Sequence, residues 1–477
     1  MKLSWTARAV TLAVLSLVGG CVGLRPARPM PQLRLPPTYP HHPPDSSSIA
    51  TLPWKQYFRD PYLQALIDTA LAYNQELYIL AAEVEIARRE AQARRGEYLP
   101  FVRLGLQSEV EKPGAFTPAG AVERQLTPEP GRPFPEPLPL YEGGLYASWE
   151  LDIWRRLRNA RQAALLRTLA AEETRRFATT QLVAEVAESY YELLALRALI
   201  TVIDTYVQIQ TQALQFTQLN KQAGRATQLA VNRFQARLLN TQNRRYLLAQ
   251  RQAAVENRLT FLLGRIPATL PLAPDAFLTL PIDTALPIGV PTQLISQRPD
   301  VRAAEKALQA AHLEVLSAQA AFYPVVGLRG ALGFQAFHPG LLLSPESMLY
   351  SLGWEALQPL VNWNALKAAY GAATARQRQA LLAYERTLLT AYTEVQTQWA
   401  RLQNAARSFS TKAQEVQILL ESIPIANRLY RSAEADYLEV LLTQTEALEA
   451  QLELIETKLE VLRAQIGLYR ALGGGWQ

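Results

Sequence analysis

The sequence of 477 residues is poor in the residue types that carry most enzyme chemistry. It has one cysteine, Cys21, and only four histidines, which share no metal-ligand spacing: His41, His42, His312 and His338. It also lacks the GxGxxG, P-loop and HExxH patterns that mark dinucleotide, phosphate and zinc sites. The sequence therefore predicts a protein that is not an enzyme and that binds no metal or cofactor.

The sequence also has no large excess of positive or negative charge. The formal net charge is +6, and two of the positive charges, Lys2 and Arg8, belong to the amino-terminal leader. No basic block is interleaved with aromatic residues, as nucleic-acid binding would require. The sequence therefore excludes nucleic acid as an expected partner.

The amino terminus predicts export and lipid anchoring. Residues 1–20 begin with basic residues and continue in a short apolar run, which is typical of a signal peptide and too short to span a membrane. The run ends at Cys21, which we interpret as a lipidation site, with a buried thiol as the alternative. Several acyl chains, at about 0.8 kcal/mol per buried methylene, anchor a protein stably. The proline-rich residues 21–53 are then predicted to form an extended tether.

Proline and glycine are nearly absent from the next part of the chain. Between Arg155 and Ile266 there is no proline, and the only glycines are Gly224 and Gly264. This predicts two long helices, at about 155–219 and 226–263, with a turn near Gly224. A second pair is predicted at about 364–430 and 437–472. Apolar residues recur in the last helix in steps of three and four, which indicates a coiled-coil seam: Leu438, Leu441, Leu448, Leu452, Ile455, Leu459, Leu462 and Ile466.

The body of the chain is duplicated. The helix that begins at Asn74 matches the helix that begins at Arg298, at an offset of 224 residues. From Trp154 onward the match is to Trp363, at an offset of 209 residues. We therefore predict a first repeat at 54–270, a linker at 271–290 and a second repeat at 291–477.

Each repeat also contains two candidate strands, at about 101–110 and 144–152 in the first and 325–337 and 348–357 in the second. Apolar and polar residues alternate along them, as they do in membrane barrels and in soluble sheets with one buried face. Four strands are too few to close a barrel, whereas three copies of the chain give twelve. A membrane channel would therefore require oligomerisation, because a bilayer leaves no strand edge unpaired.

Several stretches resemble one known family, the TolC-like outer-membrane efflux channels, and within it the lipid-anchored OprM/NodT branch. The resemblance covers nearly everything after Cys21. These stretches carry it: Trp149–Trp154, Arg298–Glu305, Ala321–Pro324, Tyr430–Leu438 and Leu468–Trp476.

The resemblance implies a mainly helical protein with a membrane β-barrel. Each protomer would supply four strands and long coiled-coil helices to a trimeric twelve-stranded barrel above a periplasmic helical tunnel. The implied function is the outer-membrane exit duct of a tripartite efflux system in a Gram-negative bacterium. The implied partners are two further copies of the chain, outer-membrane lipid, a periplasmic adaptor and an inner-membrane pump of the RND type.

The resemblance also places a gate at the periplasmic tips of the helices. In this branch a leucine ring and an aspartate ring close the tip; Leu438 matches the leucine, but Leu442 stands where the aspartate is usual. We therefore predict an apolar constriction at Leu438 and Leu442. Two alternatives are that Leu442 only packs between neighbouring helices, or that Asp436 or Glu439 supplies an acid nearby. The turns themselves are expected at Gly224 and Ala433.

Two other functions fit parts of the sequence. A periplasmic adaptor lipoprotein also has a long helical hairpin, but it needs a single hairpin flanked by β-rich domains. A coiled-coil scaffold of the cell envelope would not need paired strands in each repeat. The two hairpins and four candidate strands favour the channel.

Overall fold

The computed structural model describes residues 35–40, 47–127, 131, 133–266, 270, 272, 277–283, 286–358, 361, 363–432 and 434–476. The predicted signal peptide and Cys21 lie outside the described residues, and so do Ala433 and parts of the predicted tether and linker. The unit described below begins at Leu35.

Long helices make up most of the described chain. The main helices are α1 (Pro61–Tyr73), α2 (Gln75–Tyr98), α3 (Pro118–Gln125), α4 (Arg156–Gln222), α5 (Gln228–Leu262), α6 (Pro299–Ala320), α7 (Trp363–Arg431) and α8 (Tyr437–Ala471). Two single turns lie at Trp54–Tyr57 and Leu294–Gln297. Helix α4 has 67 residues and α7 has 69, so each is about 100 Å long at 1.5 Å per residue.

Four strands form one antiparallel sheet in the order β1-β2-β3-β4. They are β1 (Phe101–Glu111), β2 (Leu138–Leu151), β3 (Val325–Ala336) and β4 (Met348–Leu357). Strand β2 begins earlier than the predicted Gly144, because Leu138 to Gly143 continue the pairing with β1. The middle pair, β2 with β3, joins the two halves of the chain across the sheet.

The apolar core lies where the amino-terminal helix crosses the long helices. Leu63 and Ile67 of α1 are fully buried together with Leu193 of α4 and Leu259 of α5. The hydroxyl of Tyr190 donates a hydrogen bond to Asp60 Oδ2 (2.6 Å), which fixes the start of α1 against α4. Residues from both halves of the chain contribute to this one core.

A close backbone contact joins the end of each long hairpin to the start of the shorter helix that opens the same repeat, α2 in the first and α6 in the second. Gly264, after α5, has φ of 69° and lies against the backbone of Tyr73 and Asn74. Gly473, after α8, has φ of 94° and lies against Gln297 and Arg298. Each of these glycines has a positive φ and also lacks room for a Cβ, so no other residue fits without strain. We call these two contacts the repeat joints.

A polar side chain completes each repeat joint. Asn74 Nδ2 donates to the carbonyl oxygen of Leu262 (2.9 Å). Arg298 Nη1 donates to the carbonyl oxygen of Ala471 (2.8 Å), which is the equivalent position in the second repeat. Both side chains thereby satisfy a carbonyl at a helix end that has no partner within its own helix.

Candidate functional site

One face of the sheet is apolar across all four strands. The pairing register places Leu104, Leu145, Leu332 and Tyr350 side by side, and they are 75%, 50%, 56% and 76% exposed. Further exposed apolar residues lie on the same face: Val102, Leu106, Met348, Leu352 and Trp354. An exposed apolar surface of this width marks contact with a membrane or with another protein.

The opposite face of the sheet is polar. The guanidinium of Arg103 lies 5.7 Å from the ring centroid of Tyr146, whose hydroxyl is hydrogen-bonded to the Glu142 carboxylate. On the neighbouring strands Arg329 and Glu355 form an ion pair at 2.7 Å. Charged residues on one face and exposed apolar residues on the other fit a sheet with water on one side and lipid on the other.

The sheet pairs only within itself in the described chain, so β1 and β4 each carry one open edge. Unpaired backbone groups in a hydrocarbon layer cost several kcal/mol each. Further copies of the same chain can cover both edges, because β1 of one copy can pair with β4 of the next. The chain therefore supplies part of a closed barrel and not the whole of it.

The first hairpin turn lies between α4 and α5. Gly224 has φ of 74°, and the amide of Arg225 donates to the carbonyl oxygen of Asn220 (2.8 Å). That bond and the left-handed glycine form the usual glycine stop at a helix carboxyl end. Thr227 then caps α5, with its hydroxyl oxygen accepting from the amide of Ala230 (3.2 Å).

The second turn lies between α7 and α8 and carries the predicted gate residues. The amide of Glu434 donates to the carbonyl oxygen of Leu429 (2.9 Å), and Asp436 precedes the first turn of α8 without a side-chain capping bond. Leu438 is 36% exposed and Leu442 is 49% exposed, whereas Val440 between them is 6% exposed. The two leucines lie one helical turn apart, so they share a side of α8.

Asp436 and Glu439 are also exposed, and the structure brings them to the same hairpin end as Leu438 and Leu442. An aromatic contact links the two hairpin ends, since the rings of Phe216 and Tyr430 meet edge to face with centroids 6.2 Å apart. The predicted tip residues for which the structure gives positions therefore cluster at one end of the helices, away from the sheet.

An ion-pair chain crosses all four long helices farther from the tips. Arg251 of α5 pairs with Glu192 of α4 (2.9 Å), and Glu192 pairs with Arg463 of α8 (2.7 Å). Glu460 of α8 pairs with Arg463 (3.1 Å) and with Arg401 of α7. We call these five residues the ionic belt, and it ties the first hairpin to the second.

Sequence reasoning missed the ionic belt, although the repeat offset contains a signal for it. Shifted by 209 positions, Glu192 falls on Arg401 and Arg251 falls on Glu460. The two hairpins thus carry the same ion pair with the charges exchanged. Burial opposes ionisation of Glu460, but hydrogen bonds from Arg401 and Arg463 hold its pKa below the usual range.

The described residues contain neither a membrane-spanning helix nor a cluster of metal ligands. Among those residues, no helix combines the length and the apolar character needed to cross a bilayer. The same part of the chain holds no group of three or more histidine, cysteine, aspartate or glutamate side chains that could bind a metal ion.

Comparison with known proteins gives consistent matches over almost the whole chain. The model of the outer membrane efflux protein family matches residues 66–265 and 290–474. The chain is 28% identical over 479 residues to the solvent efflux pump outer membrane protein SrpC of Pseudomonas putida, covering 98% of each protein. It is 30% identical over 484 residues to the antibiotic efflux pump outer membrane protein ArpC of Pseudomonas putida, covering 99% of this chain and 96% of that one.

Solved structures give the same result for the fold. The outer-membrane channel OprN is 27% identical and superposes with a TM-score of 0.83, covering 94% of this chain and 99% of that one. The open state of the MtrE outer membrane channel of Neisseria gonorrhoeae is 24% identical, with a TM-score of 0.82 and coverage of 95% and 98%.

Proposed function

The chain belongs to the outer membrane efflux protein family, and from that premise we propose that it is a passive exit duct and not an enzyme. It is a trimeric outer-membrane channel of a tripartite efflux system, in which it works with a periplasmic adaptor and an inner-membrane pump. We further propose that the pump is of the RND type. For the cargo we propose small organic molecules, since the similar proteins are named for solvents and antibiotics.

The observation that carries the proposal is the four-stranded sheet with one apolar face and two open edges. Three copies supply twelve strands, which is enough for a barrel with an aqueous interior. The apolar face then meets lipid, and the face with Arg103, Glu142 and Tyr146 lines the lumen. The long hairpins continue from the barrel as the walls of the periplasmic tunnel.

We propose that Leu438 and Leu442 close the periplasmic mouth of this tunnel. In the single chain Leu438 is 36% exposed and Leu442 is 49% exposed, so both side chains can contact neighbouring copies. Rings of leucine in a narrow passage exclude water and block ion flow without any charged group. We also propose that acylation of Cys21 anchors the chain in the outer membrane, with residues 1–20 removed as a signal peptide and residues 21–53 forming the tether.

Adjacent substitutions on β4 test the proposed lipid and lumen faces. Leu352 is 85% exposed on the apolar face, and Ser351 lies on the polar face of the same strand. Leu352→Arg should impair membrane assembly, because arginine on a lipid face costs about 2–4 kcal/mol near the bilayer midplane. Ser351→Arg should assemble normally and change only conductance and ion selectivity.

Trimer yield in outer-membrane fractions and single-channel recordings in planar bilayers measure both effects. If both variants assemble and conduct like the wild type, the proposed faces are wrong. The proposed gate can hold the wild-type trimer closed, so the exit duct itself is tested with Leu438 and Leu442 both replaced by serine. A trimer of that variant that never conducts in a bilayer would contradict the exit duct.

A further inference from the structure

A cavity of about 500 Å³ lies near the hairpin turns, between the first hairpin (α4 and α5) and the second (α7 and α8). Three aromatic residues line it: Phe216, Phe234 and Tyr430. Phe234 is 4% exposed, and the rings of Phe216 and Tyr430 meet edge to face. This volume is within the range of pockets that hold small organic molecules, roughly 300–1,000 Å³.

One buried polar group in this lining lacks a partner. Gln444 of α8 is 5% exposed, and its Oε1 has no hydrogen-bond partner among the described residues. A buried acceptor without a donor is costly, so a native structure that keeps one usually pairs it with water or with a ligand. In this place a ligand with an O–H or N–H group would satisfy it.

The charges of the lining narrow the class of ligand. Among the described residues no carboxylate lines the cavity, so a cation finds no counter-ion in that lining. Arg428, the one charged residue of the described lining, is exposed and therefore solvated. We propose that this cavity is a binding site for a small neutral aromatic molecule, with its ring against Phe216, Phe234 and Tyr430 and a hydrogen-bond donor on Gln444 Oε1.

This site goes beyond the exit duct, because it is a binding site between the two hairpins of one chain. A molecule held there contacts both hairpins at once, so its affinity depends on the spacing between them. Binding therefore favours the spacing at which the cavity fits best. The ligand would therefore act on the position of the tips.

Protection of an introduced cysteine measures binding in the detergent-solubilised trimer of the full chain. Asn427 lines the cavity, so Asn427→Cys should be alkylated by a maleimide more slowly when phenol occupies it. Gln208→Cys on exposed α4 surface is the matched control and should show no protection. Mass spectrometry of the labelled peptides separates both sites from Cys21.

A comparison of phenol with toluene separates the contribution of the hydrogen bond to binding from that of apolar contacts, because only phenol has a hydroxyl group. Phenol should protect Asn427→Cys more strongly than toluene does. Adding Gln444→Leu should weaken protection by phenol on the order of 2- to 10-fold, the effect of one lost hydrogen bond, and leave that by toluene unchanged. Equal protection by the two ligands, or no response to Gln444→Leu, would overturn the proposal.

A second measurement needs no variant. Crystals of the wild-type trimer soaked in 4-bromophenol should show anomalous bromine density between Phe216, Phe234 and Tyr430, and crystals soaked in bromobenzene should show less. Bromine density elsewhere but none in this cavity, or only a water molecule on Gln444, would also overturn the site.

Discussion

Replacing Gly264 by alanine separates the two demands of a repeat joint, backbone conformation and space. Gly264 has φ of 69°, and an added Cβ would lie 2.6 Å from the carbonyl carbon of Tyr73 and 2.9 Å from Asn74 Cα. The left-handed conformation costs an alanine about 1–2 kcal/mol, and forcing atoms into a packed contact costs about 1–3 kcal/mol. Since both neighbours are backbone atoms, no side-chain movement relieves the clash. We therefore expect Gly264→Ala to lower the free energy of unfolding by about 2–5 kcal/mol.

Gly224 provides a control at nearly the same backbone angle. Its φ is 74°, and a Cβ there would meet nothing within 4 Å. Gly224→Ala should therefore lower the free energy of unfolding only by the cost of the left-handed conformation, about 1–2 kcal/mol. Gly96 in α2 also has open space around it, and Gly96→Ala should be neutral or stabilising, by up to about 1 kcal/mol.

Denaturant unfolding of the detergent-solubilised trimers, followed by circular dichroism of the helices, ranks the three variants. We expect Gly96→Ala to be the most stable of the three variants, Gly224→Ala to be intermediate and Gly264→Ala to be the least stable. If Gly264→Ala and Gly224→Ala lose the same stability, the close approach at the joint contributes nothing and the reasoning is refuted.

Three further predictions concern the anchor, the gate and the ionic belt. Cys21→Ser should leave a precursor that takes up no labelled fatty acid, and undiminished label would exclude Cys21 as the acceptor. Leu438→Ser with Leu442→Ser should raise the closed-state conductance in planar bilayers, and an unchanged conductance would place the closure elsewhere. Glu460→Gln should lower the free energy of unfolding by about 0.5 kcal/mol at neutral pH, a small value because solvent screens the partly exposed ion pairs. Because the folded-state pKa of Glu460 is lowered, its contribution is present above the unfolded value near 4.5 and is lost as pH falls through the folded pKa. Wild type and Glu460→Gln should therefore converge in acid, and a difference that persists there would show a cause other than ionisation.

The fold class could be predicted because its signals are local. The proline-free stretch after Arg155 and the alternation along each strand depend only on nearby residues. Helix α3, between β1 and β2, cannot be predicted in the same way, because residues 113–139 are rich in proline and glycine, which usually interrupt helices. Thr117 and Pro118 are also a normal helix start, and the Thr117 hydroxyl oxygen accepts from the amide of Gly120 (3.2 Å) at the beginning of α3.

The ionic belt and the cavity could not be predicted from local patterns. Glu192 and Arg463 are 271 positions apart, and only the packing of the two hairpins brings them together. The repeat offset identifies Arg401 and Glu460 as equivalents of Glu192 and Arg251, but it does not say which charges will meet. Gln444 lies in a helix of regular apolar spacing, so only its surroundings reveal that its amide oxygen lacks a partner.

The two repeat joints are completed by different side chains at equivalent positions. Asn74 completes its joint with one hydrogen bond to the Leu262 carbonyl oxygen, for which a short amide side chain is sufficient. Arg298 instead binds the Ala471 carbonyl oxygen and also both oxygens of Asp300 (3.0 and 2.7 Å) and Glu394 (2.8 Å) while 3% exposed. A buried guanidinium needs all of these partners, because removing one leaves a charge that is desolvated and only partly paired. Arg298 and Asp300 therefore act together at this joint: the carboxylate of Asp300 pairs the buried guanidinium while Arg298 binds the end of α8.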